Sequence, residues 1–336
     1  DGRFLDGLEV VGSLMVNDVT FAATTSGLIA RDAGGKWTVV AGMSSVVTDI
    51  EIVPDTRRHS GNEPGTWLAG TQTGVYRSAD QGASWQRISP PWAVWDLALA
   101  GERLFVGRRQ GIAWTDTLSA EQPTWHETAG LHGVTFFRIH PDRLDADVVW
   151  GGTWGNSIGV SEDRGKTIAP LNNGLETLSA LDIWQHETPG QYTIGTIEGL
   201  YRTDDGGETW FKLPGPLQRQ TVFSLLQTAD GVLWAGAADG LWISAHYGVT
   251  RGQAEGAPAA TVLQVGTTTL GSQSLMWAAT ESRGVWISED SGRSWTLAGL
   301  DGLTVFTVAP DGEGSLLAAT GQGLYAVKPL LNGEEN

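Results

Sequence analysis

Residues 203–210, TDDGGETW, place three acids within six positions. Such a cluster could hold a divalent cation or present two carboxylates to a substrate. An EF-hand-type loop needs a bidentate Glu at its twelfth position, which the segment does not offer. Nearly the same words recur as SADQGASW (78–85) and SEDSGRSW (288–295), and again as SEDRGKTI (161–168), where Ile168 replaces the Trp. One act of chemistry does not need several copies of its residues. The recurrence points to architecture.

Other chemistry-bearing residues are scattered. GVSEDRGKT (159–167) resembles a phosphate loop, but its glycines are one residue too far apart and it runs between two strands, with no helix N-terminus to receive phosphates. The six His show no metal-ligand spacing, no Gly-x-Ser-x-Gly elbow occurs, and the absence of Cys removes disulfides, thiolate sites and a Cys nucleophile. Asp49, Asp96 and Asp182 share one position in VTDIEI, VWDLAL and ALDIWQ. A glycosidase would need two such carboxylates at a set distance over a sugar. The simpler expectation is that they line a wet channel. We expect no catalytic residue, cofactor or metal.

The acidic turns mark a repeat of about 42 residues, within the range of propeller blades. Each repeat opens with an apolar strand, continues with a strand ending in small residues (TWLAGT, RLFVGR, VLWAGA), and has a third strand that starts with Gly (GVYRS, GLYRT, GVWIS). The acidic turn follows, then a fourth strand carrying the Trp. Helical periodicity is absent. The small-ending second strand occurs eight times. The pattern predicts an all-β chain: one β-propeller domain over 1–330 with eight four-stranded blades and a polar tail at 331–336. The last repeat lacks a fourth strand, so DGRFLDGL (1–8) is expected to supply it and close the ring. A seven-bladed ring with an irregular 231–269 segment is the alternative.

Ser-x-Asp-x-Gly-x-Ser/Thr-Trp resembles the Asp-box, or BNR repeat, of sialidases, some endoglucanases, sortilin-like receptors and photosystem II stability/assembly factor-like propellers. The matching residues are Asp80, Gly82 and Trp85; Asp163 and Gly165; Asp205, Gly207 and Trp210; and Asp290, Gly292 and Trp295. The resemblance implies a propeller and says little of function, because Asp-boxes lie away from the family's active sites. The Asp is expected to accept turn amides, the Gly to take positive φ, and the Trp to pack between sheets. FFRIHP (136–141) resembles the Phe/Tyr-Arg-Ile-Pro segment of sialidases, but His140 interrupts it and no Tyr stands free to act as their nucleophile.

Most of the 16 Trp fall at repeated strand positions and read as core, whereas Trp92 and Trp154 fall in loops. Those loops lie on the face where second-to-third and fourth-to-first connections gather. Arg108, Arg109, His132, Glu198, Asp239, Glu281 and Arg283 belong to the same face, where equivalent loops (TTSG, TQTG, TGQG) carry no charge. These nine residues form the candidate binding surface. With a net charge of −17, the chain is not expected to bind nucleic acid or anionic lipid, and no apolar stretch reaches the length of a membrane span. The expectation is a non-catalytic scaffold that binds a protein partner or serves as an assembly subunit. Glycan binding or hydrolysis is the alternative. Family resemblance and the non-Met start suggest an extracytoplasmic setting, whether secreted, periplasmic or cell-surface.

Overall fold

A computed structural model describes residues 10–16, 19–24, 27–31, 37–40, 43, 45–53, 66–80, 82–156, 158–245, 249–270, 273–310 and 314–329. It forms eight antiparallel sheets, each a meander in chain order; seven have four strands and the last has three among the described residues. The first strands of blades one to eight are Val10–Val16, Val47–Val53, Val94–Ala100, Phe136–Pro141, Ala180–Gln185, Val222–Gln227, Val262–Leu270 and Val305–Pro310. Each packs beside the first strand of the next blade, and that of blade eight packs beside that of blade one. The ring is closed. Ala22 and Ile29 of blade one share a buried cluster with Leu317, Ala319 and Leu324 of blade eight. The chain is an eight-bladed propeller, not the seven-bladed alternative; among the described residues its one short 3-10 turn is Pro216–Arg219. The closing strand expected from residues 1–8 lies outside the described residues.

Period-2 alternation puts one row of each blade against each neighbour, so the core consists of clusters wedged between blades rather than one central mass. Trp150, Tyr192 and Trp210, for instance, join blades four and five, with the Trp150 ring tilted against Tyr192 at 4.6 Å. The Trp expected on the fourth strands sits one residue ahead of most of them: Trp85 precedes Gln86–Arg87, Trp210 precedes Phe211–Lys212, and Trp295 precedes Thr296–Gly299. In two of these turns the indole closes the turn, whereas Trp210 Nε1 donates across the blade junction to the Leu171 carbonyl at 3.0 Å. Trp85 Nε1 donates to the Gly82 carbonyl at 3.0 Å, and Trp295 Nε1 to that of Gly292 at 3.2 Å.

Inside the turns the hydroxyls and carboxylates bind one another. Ser78 Oγ donates to Asp80 Oδ1 and accepts from the Gly82 amide at 2.7 Å; Asp80 then accepts from the Ser84 amide at 2.8 Å. The same circuit recurs around Asp163, Asp205 and Asp290. Gly165, Gly207 and Gly292 have φ of 78°, 90° and 86°, and a Cβ there would strike Phe105, Trp150 and Trp234 of the preceding blade. The acids hold the turn in shape, and its glycine makes the contact with the preceding blade.

Candidate functional site

The first strand of each blade is a sheet edge facing the axis, so its outward amides need acceptors other than a neighbouring strand. One register position lies beside them, held by Asp49, Asp96, Arg138, Asp182, Ser224, Gln264 and Thr307 in blades two to eight and by Gly12 in blade one, and four of these residues supply an acceptor to the next blade. Asp49 accepts from the Leu97 amide of the next blade at 2.8 Å, Asp96 from Ile139 at 2.6 Å, Asp182 from Leu225 at 2.7 Å, and Ser224 Oγ from Val265 at 3.3 Å. Gly12 and Arg138 cannot accept. In the blade after each of them, the Asp turns its other oxygen to its own neighbour: Asp49 to the Ile50 amide and Asp182 to that of Ile183. The three carboxylates do line the central channel, as expected, and also cap its edges.

The channel cavity holds about 650 Å³ and is walled by Asp49, Glu51, Asp96, Arg138 and Asp182 on one side and by Ser224, Gln264 and Thr307 on the other. Four carboxylates meet one guanidinium, with Arg138 Nη1 3.7 Å from Asp96 Oδ1. Burial raises the carboxyls of Asp49 and Asp182 above the usual range. Burial, then the charge of Asp49, pushes both Glu51 and Asp96 up to about 7. Burial opposes the charge on Arg138, but Asp96, Asp182 and Asp49 outweigh it and hold that charge firmly. The site therefore keeps an excess of acid. Arg138 stands in this channel wall.

The second-to-third and fourth-to-first connections gather on one face, and all nine candidate residues lie there, spread over blades two to seven. Arg108, Arg109 and His132 come together with Gln110 and Glu127 around a depression of about 360 Å³. Arg109 and His132 are exposed. Arg108 departs from the expectation of an open contact residue. It is 6% exposed, pairs with Glu127 at 2.6 Å, and stacks its guanidinium 4.6 Å over Trp92. Trp92 is half-buried and edge-on to Trp125 at 5.4 Å, so both residues support the face from beneath. Asp239 is occupied too, accepting from the Trp242 indole at 2.8 Å, and Arg283 pairs with Asp301 at 3.1 Å. Glu198 and Glu281 are exposed on separate blades. Trp154 is 60% exposed, the most open Trp among the described residues.

No family profile and no curated protein matches the chain. Solved structures do. The computationally designed Ika8 protein is 13% identical with a TM-score of 0.71, each chain covering 98% of the other. YCF48 from Cyanidioschyzon merolae is 14% identical with a TM-score of 0.56, over 85% of this chain and 95% of its own; YCF48 bound to a D1 peptide is 12% identical with a TM-score of 0.57, over 96% and 100%. The extracellular domain of BT4673 from B. thetaiotaomicron is 13% identical with a TM-score of 0.58 over 96% of this chain. The chain spans about half of that domain. At these identities the likeness is one of fold.

One feature of the channel mouth was not singled out in the sequence. The residue just before the polar register position is bulged out of the pairing in every first strand: Trp95, Phe137, Leu181, Phe223, Leu263 and Phe306 in blades three to eight. The signal was present as a recurring word of core residue, apolar residue, polar residue and core residue: VWDL, FFRI, ALDI, VFSL, VLQV and VFTV.

Proposed function

We propose that this propeller is a non-catalytic scaffold that binds a protein partner through its loop face, in an extracytoplasmic setting. The observation that carries the reading is Trp154. A large aromatic held 60% open in a loop is the kind of side chain on which interface energy concentrates. Arg109 and His132 stand exposed beside a shallow depression on the same face. The three channel Asp residues spend their oxygens on backbone amides, which suits structure better than turnover. Two fold neighbours agree in kind: one was solved with a peptide bound, and another is an extracellular domain. The repeated turns fit the role of Asp-boxes in such a frame.

Affinity capture from the native source with wild type, Trp154→Ala and Arg109→Ala tests the reading. A partner held by wild type should be lost from both variants while their melting temperatures stay within about 1 °C, since surface changes cost little stability. Unchanged capture by both variants would overturn the assignment of this face. Specific recognition on a glycan array, with no protein captured, would replace the partner class.

A further inference from the structure

The channel mouth combines two layers that nothing in the blade packing requires to coincide. In blades three to eight the bulged apolar residue lies at the loop-face end of its strand, and the polar register residue follows one step deeper. Trp95 is 37% exposed and meets Phe137 edge-on at 5.2 Å across the blade junction. Phe223, Leu263 and Phe306 line the cavity itself. Phe306 lies near the loop-face turn at Gly321, where a Cβ would come within 3.9 Å of its ring. Apolar side chains thus line the entrance over blades three to eight, with Thr48 at the same place in blade two, and below them Asp49, Glu51, Asp96 and Asp182 share the cavity with Arg138 and His140. Half-buried apolar side chains gathered at the mouth of an open cavity mark a binding surface.

We infer that the collar and the channel beneath it receive an extended partner segment whose aromatic or large aliphatic side chain seats on Trp95 and its collar neighbours while an adjacent Lys or Arg reaches down to the channel carboxylates. Charge complementarity selects this occupant over an acidic or a purely apolar one. The wall carries four carboxylates against one guanidinium, and the chain as a whole is at −17, so both near and distant fields draw a cation in. About 650 Å³ accommodates a basic side chain with the backbone that bears it. The inference rests on the reading of this face as a protein-binding face and adds the chemistry of the segment it takes.

A fluorescein-labelled nonapeptide with a central Phe-Lys pair in a Gly/Ser background, titrated at pH 8 and low salt by fluorescence anisotropy, tests it. Phe-Glu and Ser-Lys versions serve as comparisons. Wild type should bind the Phe-Lys peptide at least about tenfold more tightly than either. Trp95→Ala should weaken binding by about tenfold and Glu51→Gln by roughly threefold. Arg138→Gln, which removes the cation already in the channel, should tighten it, a direction that loss of fold cannot produce. Absent binding of Phe-Lys, equal binding of Phe-Lys and Phe-Glu, or weaker binding by Arg138→Gln would each overturn the inference. Partner capture that survives in Trp95→Ala but fails in Trp154→Ala would also overturn it, leaving the rim-based reading of function intact.

Discussion

Replacing Gly292 by Ala should cost far more than the loss of one flexible residue. Its φ of 86° lies where L side chains meet their own carbonyl, a cost of about 1–2 kcal/mol. The new Cβ would also lie 2.1 Å from Cη2 and 2.4 Å from Cζ2 of Trp234 in the preceding blade. That ring is itself edge-on to Trp295 at 6.0 Å and has little room to retreat. Overpacking of this kind costs about 1–3 kcal/mol, for a total of roughly 2–5 kcal/mol. At about 2.1 cal/mol/K per residue, a chain of 336 residues loses roughly 3–7 °C in Tm. Gly101→Ala separates the two terms: its φ is 62° but no atom lies within 4 Å of the built Cβ. Calorimetry should show Gly101→Ala losing only the backbone share, about 1–3 °C. Adding Trp234→Leu to Gly292→Ala should give less than the sum of the two single losses. Equal shifts for the two Gly variants, or strict additivity with Trp234→Leu, would refute the claim that these turns act by contact with the neighbouring blade.

Other outcomes follow from the same geometry. Glu51 titrates near 7 because burial and the charge of Asp49 favour its neutral form, so the folded pKa lies above the unfolded one and stability falls as pH rises from about 4 through 7. Glu51→Gln should flatten that fall and be the more stable protein at pH 8; denaturant titrations at pH 5 and 8 check it, and parallel slopes would contradict it. Asp290 is held down at about 2 by the hydroxyl and amide of Ser294, so its contribution is present above about 4 and lost as pH drops towards 2; Asp290→Asn should show a shallower acid transition. Asp205→Ala exposes the Thr209 amide to water and should cost about 1 kcal/mol by urea unfolding without affecting partner binding. Arg108→Ala should lower stability by roughly 1–2 kcal/mol through lost packing on Trp92, whereas Arg109→Ala leaves Tm unchanged.

Blade number, strand order and the structural nature of the acidic turns could be read from residues that recur at fixed spacing. Gly-led third strands such as GVYRS and GLYRT mark seven of the eight repeats, including those whose acidic turn is eroded; blade four has IGVS instead. The position of Asp49, Asp96 and Asp182 on the axis was equally legible, because a polar residue inside an apolar first strand has few other places to go. What they do was not. Their acceptors are used by the next blade, about 42 residues further on, and only the assembled ring brings Asp49 to the amide of Leu97. Arg108 was misread for a related reason: its burial comes from Trp92 and Glu127, which a linear reading places in separate loops. The collar escaped notice because an apolar residue at a strand start looks like core until pairing shows that Trp95 is skipped between Val94 and Asp96.

The edge-capping register also bears on how such chains can be cut and recombined. A blade is a complete sheet, and that suggests it could be exchanged as a cassette. The acceptor for its axial amide, however, belongs to the blade upstream: Leu97 relies on Asp49, Ile139 on Asp96 and Leu225 on Asp182. A cassette spliced behind a blade whose register residue is Gly12 or Arg138 arrives with an open amide unless it carries its own Asp, as the blades bearing Asp49 and Asp182 do. The transferable module is therefore a junction, the polar residue of one blade with the first strand of the next, and a chimaera drawn at blade boundaries cuts through it.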